Sequence, residues 1–119
     1  MPASVLLVDD DPAFRQLARR IVTAAGLSVV GEADTVAAAI VAARELRPDS
    51  ALVDVGLPDG DGITLAGALT ALPSPPRVIL TSSDADAAGP GDVSRSGAAG
   101  FVPKADLPGV ALRLLLGGE

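Results

Sequence analysis

The feature that most constrains the fold of this sequence is a set of short apolar runs, each followed by residues with reactive side chains. The runs occupy residues 5–8, 51–53, 78–80 and 100–103. Continuous apolar runs of this length are typical of strands that are buried on both faces of a sheet. The residues that follow them are Asp9 and Asp10, Asp54, Thr81, and Lys104. Carboxylate, hydroxyl and amine groups at four strand ends are hard to explain by packing alone.

The segments between these runs show helical periodicity. Asp11 is the predicted N-cap of a first helix with Pro12 at its first position, and Gly26 is predicted to end it. Residues 27–31 read as a second strand. A second helix is predicted to begin after Thr35 and to stop before Pro48.

The later helices are less regular. A third helix is predicted from about Ile63 to Leu72, and a last one from about Leu107 to Leu116 with Asp106 as its cap. Between them, a fourth helix is expected within residues 84–96. The Gly-Pro-Gly sequence at 89–91 makes that helix weak, short or broken.

Strand and helix signals thus alternate along the whole chain. This order predicts an α/β fold with a parallel, doubly wound (βα)5 sheet between two layers of helices. We expect one domain over residues 1–119, with its core at about 4–116. Functional groups of such folds gather beyond the carboxyl ends of the strands, where the acidic, hydroxyl and amine residues fall.

Composition excludes several classes of protein. The net charge of −6 and an aromatic content of 2% argue against direct binding of nucleic acid or of an anionic membrane. The chain has no cysteine and no histidine, which removes thiol chemistry, Ser-His catalysis and zinc sites of those ligands. No apolar stretch is long enough to span a membrane, and the N-terminus lacks a signal-peptide pattern. We therefore expect a cytoplasmic protein.

These residues resemble the receiver domains of two-component response regulators over nearly the full length of the chain. The resemblance rests on the acidic pair Asp9-Asp10, the segment Asp54-Val-Gly-Leu-Pro-Asp-Gly-Asp-Gly62, Thr81, and Lys104 after Gly-Phe-Val-Pro. It is closest to the DNA-binding branch, whose members carry a C-terminal helix-turn-helix domain. The resemblance implies a flavodoxin-like sheet of order 2-1-3-4-5.

The resemblance also implies the chemistry of the site. Asp54 matches the residue that accepts a phosphoryl group from a sensor histidine kinase. Asp10, Asp54 and the backbone carbonyl of Gly56 would ligate Mg²⁺ or Mn²⁺, and Asp9 would act through a bound water. Hard oxygen ligands of this kind suit such a cation, which would also relieve repulsion among the carboxylates. Such a domain is a switch that assists its own phosphorylation and dephosphorylation, not a separate enzyme.

The resemblance gives roles to three further residues in contacting the phosphoryl group and transmitting the signal. Lys104 and Thr81 would contact phosphoryl oxygens, and Phe101 would change rotamer as Thr81 moves. The resemblance places the output face on the fourth helix, the fifth strand and the last helix. Because one face of that last helix suffices for packing, we expect Leu112 and Leu116 to stay exposed and to support homodimerisation on phosphorylation.

Three alternatives remain open at this point. Asp9 and Asp11 also satisfy the Asp-x-Asp pattern of haloacid-dehalogenase-type phosphatases, although Asp54 then has no role. A degenerate receiver that serves only protein contacts is the second. The third concerns extent: the chain is either a stand-alone receiver or, as we expect, the N-terminal part of a longer regulator that controls transcription.

Overall fold

The computed structural model describes residues 3–109 and Leu116, and a parallel sheet forms its centre. The five strands are β1 (Ser4–Val8), β2 (Ser28–Ala33), β3 (Ser50–Asp54), β4 (Arg77–Ser82) and β5 (Gly100–Pro103). They lie in the order β2-β1-β3-β4-β5, and every neighbouring pair is parallel. The predicted doubly wound sheet and its strand order are confirmed.

The helices begin and end largely where the sequence predicts. They are α1 (Pro12–Ala24), α2 (Val36–Leu46), α3 (Gly62–Thr70) and α4 (Pro90–Ser96). Asp11 caps α1 by accepting a hydrogen bond from the Ala13 N–H at 3.0 Å. Thr35 caps α2 in the same way, by accepting from the Ala38 N–H. Each cap satisfies an N–H group that has no partner within its helix.

The three central strands, β1, β3 and β4, bury both of their faces, as their continuous apolar sequences require. Successive residues of a strand point to opposite faces of the sheet. Leu6 and Val8 therefore pack in a cluster with α2 and α3, whereas Val5 and Leu7 pack in a second cluster with α1. This arrangement gives the three layers of the predicted fold and leaves the strand ends free to carry polar groups.

The fourth helix corrects one interpretation of the sequence. The Gly-Pro-Gly segment does not interrupt α4 but starts it, with Gly89 as N-cap and Pro90 at the first position. The missing N–H of proline costs nothing there, because the first helical N–H groups have no intrahelical partner. Asp92 also accepts a hydrogen bond from the Gly89 N–H at 3.0 Å. The helix is short, as predicted, with seven residues.

The predicted start of the last helix is wrong. Residues Lys104–Gly109 form a 3₁₀ helix, so Asp106 lies inside a helical segment and does not cap one. Residues 110–115, including Leu112, lie outside the described residues. Leu116 is helical and its side chain is 1% exposed, which contradicts its predicted exposure.

Leu116 packs with Leu107 and Val102 in the cluster that also holds α1. Burying the Leu116 side chain in this apolar cluster is favourable. None of the described helices is long and apolar enough to cross a membrane.

Candidate functional site

Strand register brings the predicted site residues to one edge of the sheet. Val8 lies opposite Val53, so Asp9 and Asp54 follow at the same level of adjacent strands. Asp54 in turn lies opposite Thr81 in β4. Because the strands are parallel, all of their carboxyl ends meet at this edge.

Three carboxylates form a cluster at this edge, made up of Asp9, Asp10 and Asp54. One carboxylate oxygen from each lies within 4.8 Å of those of the other two. Asp9 and Asp54 are buried, whereas Asp10 is exposed. The donor set consists of hard oxygen atoms, which suits Mg²⁺ or Mn²⁺ and not a thiolate-seeking metal. The residues present therefore fit the cation that the sequence implies.

The Asp9 carboxylate is fixed from two sides. Its Oδ1 accepts a hydrogen bond from the Asp11 N–H at 2.9 Å. Its Oδ2 lies 2.7 Å from the Lys104 Nζ, whose side chain is only 18% exposed. The Asp9 N–H donates to the Ala33 carbonyl in β2 at 3.0 Å. This aspartate is therefore held between β2, α1 and the end of β5.

Asp54 is a carboxylate in an unfavourable place for a negative charge. Burial, and then the neighbouring charge of Asp9, raises its pKa to about 6. Lys104 and a hydrogen bond from the Gly56 N–H oppose that rise, and the Lys104 Nζ lies 3.8 Å from the Asp54 Oδ2. A bound cation would offset this charge and relieve the conflict.

The loop after Asp54 is shaped by a short hairpin and a close backbone approach. Residues Gly56–Leu57 and Gly60–Asp61 form a two-stranded antiparallel ladder. At Gly62, a side-chain carbon would collide with the carbonyl oxygen of Asp54. The Gly62 N–H donates to the Val55 carbonyl at 2.7 Å. Only glycine permits α3 to start this close to the strand end.

Thr81 and Phe101 occupy the β4–β5 side of the site. The Thr81 side chain is buried, and its hydroxyl donates to the Val102 carbonyl at 2.7 Å. Phe101 is partly buried and packs against the cluster that contains α2 and α3. In this conformation the Thr81 hydroxyl is therefore engaged with β5.

Sequence reasoning missed two contacts made by the first turn of α1. The Phe14 ring centroid lies 4.1 Å from the Lys104 Nζ. The Arg15 Nη1 donates to the Asp9 carbonyl at 2.6 Å. The available signal was position: both residues lie on the helical turn that directly follows the acidic pair.

Arg15 is itself part of an ion-pair network. Its Nε lies 3.0 Å from the Glu32 Oε1, and the Arg19 Nη2 lies 2.6 Å from the other carboxylate oxygen. Arg19 first, and also Arg15, hold the pKa of Glu32 below its ordinary value. This network joins β2 to α1 beside the backbone of Asp9.

Asp59 makes a further contact between segments that are distant in sequence. Its two carboxylate oxygens accept hydrogen bonds from the Val36 and Ala37 N–H groups at 2.7 and 3.1 Å. These bonds, the Val36 bond foremost, hold the pKa of Asp59 below its ordinary value. The loop after Asp54 is thereby tied to the N-terminus of α2.

Comparison with known families identifies the arrangement. The family model described as the response regulator receiver domain matches residues 5–109. The chain belongs to this family. Receiver domains act in two-component signalling and interact with histidine kinases, and the chain resembles those of transcription regulators.

Individual relatives agree with this assignment. The chain is 36% identical over 102 residues to a putative transcriptional regulator of Pseudomonas aeruginosa, covering 86% of this chain and 49% of that protein. It is 42% identical over 113 residues to the activator DevR/DosR of Mycobacterium tuberculosis, covering 91% and 50% respectively. The chain thus spans about half the length of these relatives.

Solved structures share the whole fold. A LuxR-family two-component response regulator from Aurantimonas sp. aligns with a TM-score of 0.86 and 28% identity, covering 100% of this chain and 88% of that one. The receiver domain of the putative regulator NarL from Mycobacterium tuberculosis aligns with a TM-score of 0.79 and 34% identity, covering 96% of each chain.

The phosphatase alternative finds no support in these relatives. It requires Asp11 as a catalytic acid, but the Asp11 carboxylate accepts a hydrogen bond from the first turn of α1. Asp11 therefore acts as a helix cap, and the receiver interpretation accounts for Asp54 as well.

Proposed function

We propose that the chain accepts a phosphoryl group on Asp54 from a histidine kinase and passes the signal to an effector that controls transcription. The observation that carries this proposal is the placement of the buried Asp54 carboxylate beside Asp9, Asp10 and Lys104. Isolated surface aspartates lack such neighbours. The protein acts in the cytoplasm as a switch, and residues 1–119 contain one receiver domain.

The transfer step needs little covalent chemistry from the protein. A carboxylate oxygen of Asp54 forms a bond to phosphorus while the bond from phosphorus to the donor breaks, and the donor leaves with the electron pair. Asp54 reacts in its ionised form. Lys104, 3.8 Å from the Asp54 Oδ2, is within reach of the incoming negative charge.

The carboxylate cluster would hold a divalent cation during this step. Asp9, Asp10 and Asp54 would provide side-chain oxygens, and Gly56 its backbone carbonyl. When bound, Mg²⁺ or Mn²⁺ neutralises charge on the transferring phosphoryl group. The close packing at Gly62 supports this role, because it fixes where the loop carrying Gly56 leaves the strand.

Thr81 and Phe101 form the switch. For its hydroxyl to reach a phosphoryl oxygen, Thr81 must give up its hydrogen bond to the Val102 carbonyl. That movement frees space beside β5 for Phe101 and favours a self-associating form. The output face consists of α4, β5 and the last helix with Leu112. It does not include Leu116, whose side chain is buried.

Phosphorylation by acetyl phosphate tests this proposal. Intact-mass spectrometry should detect one phosphoryl adduct on the wild type with Mg²⁺ and none with excess EDTA. Asp54→Ala should abolish the adduct. Asp86→Ala is a matched control, since Asp86 is an exposed aspartate outside the cluster, and it should react like the wild type.

The same measurement separates the remaining alternative. A degenerate receiver that serves only protein contacts would gain no adduct from acetyl phosphate, although it would still melt cooperatively. An undiminished adduct in Asp54→Ala would refute the assignment of Asp54.

A further inference from the structure

The Phe14 ring lies directly against the one lysine of the site. Its centroid is 4.1 Å from the Lys104 Nζ, well within the range of a cation–π contact. Phe14 belongs to the first turn of α1, and Lys104 follows β5. The contact therefore joins two elements that are far apart in the chain but meet at the reactive edge of the sheet.

The Lys104 side chain is largely removed from water at this position. The Lys104 side chain is 18% exposed, and the Phe14 side chain is partly buried. A cation held against an aromatic face gains more where it is desolvated than at an exposed site. The negative face of the ring thus replaces part of the hydration that Lys104 has lost.

The other described partners of Lys104 are two carboxylates that themselves take part in the proposed chemistry. Asp9 lies 2.7 Å from the Nζ and belongs to the proposed cation site, and Asp54 lies 3.8 Å away and becomes phosphorylated. The ring of Phe14 can neither bind a metal ion nor accept a phosphoryl group. Among the described contacts of Lys104, it is the one that stays available when both carboxylates are occupied.

We propose that Phe14 is a positioning residue that holds the Lys104 ammonium over the phosphorylation site through its aromatic face. This inference rests on the proposed function, because it requires Lys104 to assist the transfer to Asp54. Phe14 also packs on the apolar cluster around α1. A purely structural role is therefore the competing explanation, and the experiment must separate the two.

The experiment measures the rate of Asp54 phosphorylation by acetyl phosphate with saturating Mg²⁺. Phe14→Leu keeps an apolar side chain but removes the aromatic face, and should lower the rate by roughly three- to tenfold. Phe14→Tyr restores the ring and should recover most of that loss. Leu17→Ala is the matched control, since Leu17 lies on the same helix and is 48% exposed, and it should leave the rate unchanged.

A double-mutant cycle with Lys104→Gln identifies the route of the effect. If Phe14 acts through Lys104, then Phe14→Leu should cause no further loss of rate once Lys104→Gln is present. An equal loss in both backgrounds would show that Phe14 acts by packing and would overturn the inference.

The cycle also distinguishes failure of this inference from failure of the proposed function. If Lys104→Gln lowers the rate but Phe14→Leu does not, the inference is wrong and the role of Lys104 stands. If Lys104→Gln reacts like the wild type while Asp54→Ala gains no adduct, Lys104 does not assist the transfer, and the inference is overturned with Asp54 still the acceptor.

Discussion

The surroundings of Asp54 determine how readily its carboxyl group ionises. Burial and the neighbouring Asp9 raise its pKa to about 6, so ionising this group costs more free energy in the folded chain than in the unfolded chain. Reaction with a phosphoryl donor nevertheless needs that ionised carboxylate. The cost falls on the stability of the metal-free protein, where it can be measured.

We predict that metal-free protein loses stability as the pH rises through this range. The pKa of Asp54 is about 6 in the folded chain and 3.8 in the unfolded chain. Between these two values the unfolded chain ionises while the folded chain stays protonated, so stability is lost as the pH rises from 3.8 through about 6. Asp54→Asn removes this dependence. Above neutral pH the variant should be more stable than the wild type by on the order of 2 kcal/mol.

Urea unfolding in EDTA at several pH values measures this difference. It should be small near the unfolded pKa and grow as the pH approaches neutrality. A difference that stays constant across the range would mean that Asp54 does not titrate as its surroundings indicate.

At the scale of elements, the loop between β3 and α3 is held by more than its own hairpin. Asp59 caps the N-terminus of α2 from this loop, and Asp61 caps α3 by accepting from the Thr64 N–H. Both carboxylates lie at positive helix ends, where they are favourable. The loop that carries the Gly56 carbonyl is therefore anchored to two helices.

We predict that Asp59→Ala lowers the melting temperature and raises the Mg²⁺ concentration needed for half-maximal stabilisation. Two N–H groups of α2 lose their acceptor, and the loop loses its tether to that helix. Thermal melts over a Mg²⁺ series measure both effects. Asp86→Ala is the control, and Mg²⁺ dependence equal to the wild type in Asp59→Ala would contradict the tethering.

The melting difference should also depend on pH. Hydrogen bonds from α2 hold the pKa of Asp59 below 3.8. Its contribution is therefore complete above the unfolded pKa and is lost as the pH falls through the folded one. The wild type and Asp59→Ala should accordingly converge in strong acid.

Where a local sequence signal was complete, it predicted the corresponding helix or strand. Asp11 with Pro12 and Thr35 gave helix starts, because capping depends on neighbouring residues alone. At α4 the signal was present but misread, since Gly-Pro-Gly can start a helix as well as break one. The burial of Leu116 could not be predicted, because it depends on the space left beside β5.

The candidate site likewise contains some contacts that could be predicted from the sequence and others that could not. The meeting of Asp9, Asp54, Thr81 and Lys104 was predictable, since parallel strands bring their ends to one edge. The contacts of Phe14 with Lys104 and of Asp59 with α2 join residues far apart in sequence. No periodic pattern marks such pairs.

At the scale of the whole molecule, β4 lies between the strand that carries Asp54 and strand β5. Thr81 lies between Asp54 and β5, and its hydroxyl is bonded to the Val102 carbonyl. Strand β5 then continues into Lys104 and the 3₁₀ helix. We propose that a change at Asp54 is transmitted by this route to the α4 and β5 side.

We predict that phosphorylation increases self-association of the chain through this side. Sedimentation velocity with and without a beryllofluoride mimic should show a larger weight-average mass for the Mg²⁺-bound, mimic-treated wild type. Leu112→Glu should reduce that increase by placing a charge on the predicted interface, whereas Asp54→Ala should abolish it. A mass unaffected by the mimic at high protein concentration would contradict dimerisation by this route.

The identity of the phosphorylated residue tests the central claim most directly. Protein labelled by acetyl phosphate with Mg²⁺ can be reduced with borohydride, which converts an aspartyl phosphate to homoserine, and then mapped by peptide mass spectrometry. The account predicts homoserine at position 54 and an unmodified Asp9. Homoserine at position 9 with Asp54 intact would contradict it and would favour the phosphatase-type chemistry.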